Sequence, residues 1–191
     1  GAAVTAYADP ATTAITYKAY LADANAKAAL AGAKATQGAV TLAANADATS
    51  ITIDGTSTTV SGLKDSQTIT MSGTVANTVS TAAGATTANV KMSSGKGTVT
   101  IVGDTTTTTS ATISGSLKQG TAETNTGAAP GTLTLVDQVA GTTTGDSIKT
   151  LNLGLTNNAN LTITDMTAVT TIDGSASTGG LGLSPLATTL N

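Results

Sequence analysis

Short runs in which threonine alternates with an aliphatic residue constrain this chain more than any other feature. A period of two places successive side chains on opposite faces of a strand, so each run predicts a short β-strand with one aliphatic face and one hydroxyl face. Gly, Asp and Asn recur between the runs and end each one within a few residues. The five clearest runs are Ile51–Ile53, Thr68–Met71, Thr98–Ile101, Thr132–Leu135 and Leu161–Thr164. From Ser50 onward the sequence therefore predicts an all-β fold.

The side chains available for a hydrophobic core are few and small. Leu, Val, Ile and Met together supply 38 of the 191 residues, whereas Thr, Ala, Gly and Ser supply 114. Disordered chains combine low aliphatic content with high net charge, but the net charge here is only −3 and β-branched residues are abundant. We therefore expect an ordered chain with thin layers, in which Thr and Val stack on pleated surfaces.

The spacing of the Thr-x-Thr runs indicates a degenerate internal repeat. Runs that begin at residues 68, 98, 132 and 162 are 30, 34 and 30 residues apart. Two architectures fit this spacing: a parallel β-helix or solenoid, in which successive coils cover one another, and a β-sandwich, in which turn signals every 8–12 residues or so are also expected. The solenoid is favoured for residues 131–191, and the two are nearly equal for 46–118. Asn157 and Asn158 are predicted to bridge successive coils through their side-chain amides.

The chain changes character along its length. Asp9-Pro10 has the pattern of an N-cap followed by proline at the first helical position, and residues 11–34 are rich in Ala, Leu and Lys, which predicts a short N-terminal α-helical segment. Residues 119–130 contain Gly, Thr, Asn, Ala and Pro without alternation. The predicted organisation is a helical segment (1–45), a β-rich domain (46–118), a linker or exposed loop (119–130) and a β-solenoid-like domain (131–191).

Most side chains that perform catalysis are missing, because the chain has no His, Cys, Trp, Phe or Arg and a single Glu at position 123. Ser61-Gly62-Leu63-Lys64 matches the Ser-x-x-Lys pattern of acyl-transfer enzymes, but the partner motifs are absent, so we interpret it as a turn. Ser94-Gly95-Lys96-Gly97-Thr98 lacks the Ser or Thr that a phosphate-binding loop needs directly after its Lys, and it reads as a hairpin turn. We assign no catalytic and no cofactor-binding residue, and we predict that the chain is not an enzyme.

Six aspartates could supply oxygen ligands for calcium if folding brought several of them together. No two lie within one ligand loop, and most stand beside Gly or Thr at predicted strand ends, where Asp caps a turn. They are Asp54, Asp104, Asp137, Asp146, Asp165 and Asp173, and the metal ligands stay unassigned. The eight Lys are scattered along the chain, which argues against a nucleic-acid partner, and no apolar run approaches the roughly 20 residues of a transmembrane segment.

Three segments of the C-terminal third carry a resemblance to a known family. They are Thr150–Leu153, Asn160–Thr164 and Val169–Leu181. These segments resemble the Thr/Ala-rich β-repeats of surface-layer (S-layer) proteins of Gram-negative bacteria, which are exported by type I secretion and often carry calcium-binding RTX repeats. The similarity covers residues 131–183, and the rest of the chain matches only in composition. The family's calcium nonapeptide is absent, since Gly179-Gly180-Leu181-Gly182 is followed by Leu183-Ser184 where Asp is required.

The resemblance implies a structural protein that self-assembles into an extracellular lattice at the cell surface. It also implies calcium as a ligand of the full-length form and lipopolysaccharide or another surface glycan as a partner. Because the chain begins at Gly1 without a basic and apolar signal segment, we expect a mature product or a fragment. Two other functions fit the composition: an adhesin or glycan-binding surface module, and an ice-binding Thr-rich solenoid. The 30/34/30 spacing is too long for one coil, which counts against ice binding.

Overall fold

A computed structural model describes residues 15–16, 38–42, 48–54, 58–104, 107–121, 128–142 and 146–184. Within these ranges the chain forms twelve β-strands and no helix, so the all-β prediction is confirmed. All five alternating runs lie in strands. The strands are β1 (Ile15–Thr16), β2 (Gly38–Thr41), β3 (Ser50–Asp54), β4 (Thr58–Leu63), β5 (Thr68–Thr81), β6 (Thr87–Gly103), β7 (Ser110–Leu117), β8 (Gly131–Val139), β9 (Thr150–Leu155), β10 (Ala159–Thr164), β11 (Thr171–Asp173) and β12 (Leu181–Ser184).

The predicted N-terminal helix finds no support where residues 1–45 are described. Most of the segment 11–34 lies outside the described residues. The two residues described within it, Ile15 and Thr16, form β1, which pairs in parallel with Val40 and Thr41 of β2. Both are β-branched, and such residues fit a pleated sheet better than a helix, so pairing overrides the Ala-rich local pattern at this point.

Every strand pair is parallel, and the pairing divides the strands into two series. Series A contains β1, β2, β4, residues 74–81 of β5, residues 96–103 of β6, β8, β10 and β12. Series B contains β3, residues 68–72 of β5, residues 87–95 of β6, β7, β9 and β11. From β3 onward the chain passes alternately through one strand of series B and one of series A, and each strand lies beside the next strand of its own series.

The register shows how long each return of the chain is. In series B the consecutive neighbours Ile51, Ile69, Val90, Ile113 and Leu153 are separated by 18, 21, 23 and 40 residues. The long step contains residues 118–130 and 140–149, and strands on both sides of these segments pair directly, β6 with β8 and β7 with β9. The basic return is thus shorter than the predicted 30 to 34 residues, because Thr68 belongs to series B whereas Thr98 belongs to series A.

Two strands are longer than the alternating runs suggested, since β5 has 14 residues and β6 has 17. Each bends from series B into series A without leaving the sheet, and the pairing shifts by a residue at the bend. The bends fall at Gly73 and at Ser94–Gly97, where positive φ angles at Gly73, Ser94 and Gly97 allow the change of direction. Residues that predicted the end of a strand therefore mark a corner inside one.

The core is a set of aliphatic columns, one from each inward-facing position of the strands. In series B the column Ile51, Ile69, Val90, Ile113 and Leu153 is at most 1% exposed. Series A contributes comparable columns, among them Val60, Val79 and Ile101, all fully buried. Full burial of a side chain of this size is worth about 1.5–3 kcal/mol relative to exposure. Stacked neighbours thus supply the thin core that the composition predicts.

Candidate functional site

The outward side chains of series A form a surface of threonine and other small residues, called here the hydroxyl face. Two of its columns run through nearly every strand of the series. One column is Ala76, Thr98, Thr134, Thr162 and Ser184; the other is Ala39, Thr59, Thr78, Thr100, Val136 and Thr164. Neighbouring strands of a sheet lie about 4.7–4.9 Å apart, and side chains two residues apart on one strand lie about 6.6 Å apart. The threonines therefore form a regular array along two directions.

The hydroxyl face carries little charge. Two flanking columns border it: Thr74, Lys96, Thr132, Asn160 and Gly182 on one side, and Thr41, Ser61, Ser80, Val102 and Gln138 on the other. Among the described outward residues of all four columns, Lys96 is the one charged side chain. The hydroxyls of Thr98, Thr134 and Thr162 make no side-chain hydrogen bond within the described part of the chain. Their donors and acceptors are thus available to solvent or to a ligand.

One end of the hydroxyl face is hollowed into an open groove of ≈ 400 Å³. The hydroxyls of Thr98, Thr132, Thr134, Thr162 and Ser184 line it, together with the Asn160 carboxamide. Gly182 explains the hollow, because every other member of its column has a side chain, and a Cβ there would overlap the Asn160 Oδ1. The groove offers neutral hydrogen-bonding groups and no charged one.

Aspartates hold successive returns of the chain together where it crosses from series A to series B. The Asp65 carboxylate accepts hydrogen bonds from the backbone N of Thr86 (2.8 Å) and of Thr87 (2.9 Å) and from the Thr86 hydroxyl (3.0 Å). Burial raises the pKa of Asp65, but these three hydrogen bonds outweigh it and hold the pKa below its ordinary value of 3.8. Asp146 repeats the arrangement 21 residues from Thr167, accepting from its backbone N (2.7 Å) and its hydroxyl.

Asp137 departs from the prediction that the aspartates cap turns at strand ends. It lies inside β8, fully buried, at an inward position next to Ile101 in series A. Its carboxylate accepts from the backbone N of Ser147 (2.7 Å), the backbone N of Ile148 (2.8 Å) and the Ser147 hydroxyl (3.1 Å). Burial raises the pKa of this carboxyl, against the lowering effect of the three hydrogen bonds. The position was missed because its partners come from the segment 140–149, whose location depends on the register.

The remaining aspartates are dispersed. Asp104 accepts from the Gly84 backbone N (3.2 Å) and the Thr107 hydroxyl (3.1 Å). Asp173 accepts from the Ser175 backbone N (2.8 Å), a turn cap as predicted, and its hydrogen bonds with Ser175 lower its pKa. The side chain of Asp54 is outside the described residues. Within the described ranges no three His, Cys, Asp or Glu residues come close enough to hold a metal ion.

The two motifs weighed for catalysis or phosphate binding occupy the strands of series A. Ser61 lies on β4, and its hydroxyl donates to the Thr41 hydroxyl (3.3 Å). Ser94–Thr98 is the bend inside β6 and not a hairpin turn, because both arms of the bend pair in parallel with β5. Neither segment is brought to a buried pocket of polar groups in the described part of the molecule.

Asn157 and Asn158 bridge returns of the chain as predicted. The Asn157 amide donates to the Leu117 carbonyl (2.6 Å), and its Oδ1 accepts from the Leu117 backbone N (3.0 Å). The Asn158 Oδ1 accepts from the Gly180 backbone N (2.8 Å). Both amides therefore satisfy backbone groups at the crossing from series B to series A.

Comparison of the chain with protein-family models, with curated proteins and with solved structures finds no match. In the described ranges no helix has the length and apolar character needed to cross a bilayer. Function is therefore inferred from the surfaces described above.

Proposed function

We propose that this chain is a parallel β-solenoid that serves as a structural subunit, or part of one, of a self-assembling lattice at the cell surface. The solenoid is supported by the all-parallel pairing and by the alternation of series A and series B along the chain. A β-sandwich of the predicted kind would contain antiparallel neighbours and Greek-key connections. Residues 68–72 and 74–81 of β5 then form two sides of one coil, which the next coil covers.

The observation that carries self-assembly is the final coil of the described stack. Within the described residues β11 pairs with β9 alone and β12 with β10 alone, so one edge of each strand has no strand neighbour. Leu183 of β12 is 39% exposed and is the one described large hydrophobic residue that is exposed. An open edge of backbone N–H and C=O groups beside an apolar side chain is a template for pairing with another chain. We assign a second copy to this edge.

The test is electron microscopy of the purified protein with and without millimolar calcium, with sedimentation at several concentrations. Ordered sheets or filaments are expected, and their dependence on calcium would reveal whether the ion implied by the resemblance acts on this chain. A monomer under every condition would contradict the proposal. Binding of surface glycans, including lipopolysaccharide, would then be measured, with the hydroxyl-lined groove as the first place to mutate.

A pair of variants with equal change in charge locates the contact. Leu183→Lys places a charge at the open edge and is expected to abolish assembly, because a buried unpaired ammonium is costly. Ala140→Lys adds the same charge at an exposed turn after β8 and is expected to assemble like the wild type. Equal assembly by both variants would exclude the β12 edge as the contact.

Ice binding is a second candidate, favoured by the register of the hydroxyl face. The objection drawn from the 30/34/30 spacing falls away, because Thr98, Thr134 and Thr162 are direct neighbours on adjacent strands. A flat array of hydroxyl and methyl groups with two fixed spacings can order water in a lattice-like layer. The measurement is thermal hysteresis and inhibition of ice recrystallisation, first for the wild type.

The matched variants carry three added lysines each. Thr98→Lys/Thr134→Lys/Thr162→Lys disrupts the array and should abolish any such activity. Thr52→Lys/Thr70→Lys/Thr112→Lys changes the outward side of series B and should retain it. A wild type without thermal hysteresis would eliminate this candidate.

A further inference from the structure

The charged residues of the described chain gather at the two ends of the strands and leave the broad faces almost uncharged. The chain crosses from series B to series A at one end and from series A to series B at the other. At the first end, Lys96 lies in the bend of β6 and Lys118 follows β7, and the Lys118 backbone N donates to the Gly95 carbonyl (2.8 Å), which places the two lysines on adjacent coils. Lys91 lies three residues before the bend. These three exposed residues are called here the lysine edge.

The opposite end carries an excess of acid. Asp65, Asp104, Asp146 and Asp165 lie in four different crossings from series A to series B, here called the acidic edge. Lys64 and Lys149 share that end, so four aspartates and two lysines give it a net charge of −2. Asp173, in the last coil, is at the same end as the lysine edge, so three lysines and one aspartate give that end +2 over the described residues.

These charges are held in place and are available to a partner. The threonine hydrogen bonds of Asp65 and Asp146 fix both carboxylates on the surface, since both residues remain exposed. Among the described residues, Lys91, Lys96 and Lys118 form no ion pair with an acid. Complementary potentials of this kind steer association and fix register between partners.

We propose that copies of this chain associate side by side, the lysine edge of one against the acidic edge of the next. This inference rests on the proposed function as an assembling subunit and specifies its lateral contact. Because the two edges are different surfaces at opposite ends of the strands, the contact is heterologous, and repetition by translation gives an open row that does not close. Together with the end contact at β12, such rows provide the two directions that a sheet requires.

The experiment compares two variants of identical net charge in the full chain. Lys96→Glu/Lys118→Glu reverses the lysine edge, and Lys64→Glu/Lys149→Glu reverses the two lysines of the acidic edge; each changes the net charge from −3 to −7. All four lysine side chains project from the surface without hydrogen bonds in the described structure, and circular dichroism and thermal melting would verify folding. The readout is the protein concentration at which assemblies appear, by sedimentation and electron microscopy, at about 20 mM and about 500 mM salt.

The lysine-edge variant is expected to need at least about tenfold more protein than the wild type at low salt, because like charges then face each other in the contact. The acidic-edge variant should assemble at the wild-type concentration or below it, and high salt should raise the wild-type threshold. Equal thresholds for the two variants, or a wild-type threshold indifferent to salt, would overturn the lateral contact while the proposed function stands. A wild type that stays monomeric at both salt concentrations would overturn both.

Discussion

Short polar side chains satisfy the backbone wherever the chain leaves one strand for the next. At such crossings N–H groups lose their strand partners, and a buried or half-buried N–H without an acceptor is costly. Asp65, Asp146 and Asn158 each accept from a backbone N of the following return of the chain. An Asp or Asn at a crossing therefore links two coils as well as capping a turn.

Asp137 gives a pH dependence whose sign follows from its surroundings. Its pKa in the fold is raised above 3.8, so the folded chain takes up this proton before the unfolded chain as the pH falls. Its contribution to the free energy of unfolding is therefore greatest below about pH 3.8 and is lost as the pH rises through the folded pKa. Asp137→Asn removes the titration while its Oδ1 can still accept from Ser147 and Ile148. The stability of the wild type relative to Asp137→Asn, measured by urea unfolding, should rise as the pH is lowered toward 3.8.

Truncation of the same residue should be harmful at every pH. Asp137→Ala leaves the Ser147 and Ile148 backbone N–H groups without their acceptor and is expected to cost roughly 2–4 kcal/mol. A relative stability that fell with acidification, or an Asp137→Ala variant as stable as Asp137→Asn, would refute this account of the site.

Glycine is required at Gly97 for two separable reasons. Its φ is 120°, and a Cβ would overlap the carbonyl oxygen of Val75 on the neighbouring strand. At Gly73 φ is 71° but a Cβ would meet nothing within 4 Å. Gly73→Ala should therefore cost only the backbone term of about 1–2 kcal/mol, and Gly97→Ala about 3 kcal/mol or more, because overpacking adds to that term. Equal melting temperatures for the two variants would show that the close approach of Val75 is not limiting.

Sequence reasoning recovers residues whose role is local and misses those whose partner is distant. Asn157 and Asn158 were identified because adjacent Asn residues between two strand runs signal a crossing. Asp137 was not, since a carboxylate in an alternating run gives no sign that residues 147 and 148 will fold back onto it. The register of the sheet decides that contact.

Strands were predictable as elements, whereas their ends and partners were not. Period-two alternation identifies the cores of β3, β5, β6, β8 and β10, because one face of each is buried against the stack. The bends of β5 and β6 were mistaken for strand ends, since the Gly residues that stop a hairpin strand also allow a corner. The 30/34/30 period combined positions from both series, and only pairing reveals the shorter return.

The hydrogen bonds of Asp146 should control how firmly the last described coil is attached. Asp146→Ala removes the acceptor for the Thr167 backbone N and hydroxyl, at a cost of about 1 kcal/mol. Amides of β11 should then exchange with solvent faster, as measured by hydrogen–deuterium exchange. Asp165→Ala is the matched control, because it removes an exposed carboxylate without a hydrogen bond in the described structure, and exchange in β11 should stay unchanged. Identical exchange in the two variants would show that the crossing contact does not secure β11.

As a whole molecule the described chain is a one-dimensional stack in which each coil contacts its neighbours above and below. Its all-β class follows from alternation, but the parallel arrangement could not be read from sequence, because alternating strands fit sandwiches equally well. Stacks of this kind open from their ends. Amides of residues 69–72 and 90–93, which have neighbours on both sides, should exchange most slowly, and those of β12 fastest. Uniform exchange from end to end would indicate a single cooperative unit instead.

Direct pairing of β7 with β9, and of β6 with β8, across residues 118–130 and 140–149 has a practical consequence for engineering. The stack resumes its register after two excursions of chain, so the position of a coil does not depend on how much sequence is looped out before it. Foreign peptides placed at these excursions would be displayed at a regular pitch without disturbing the scaffold. If the subunits tile a surface, each tile would present one such cargo, and the number of displayed copies would scale with the area covered.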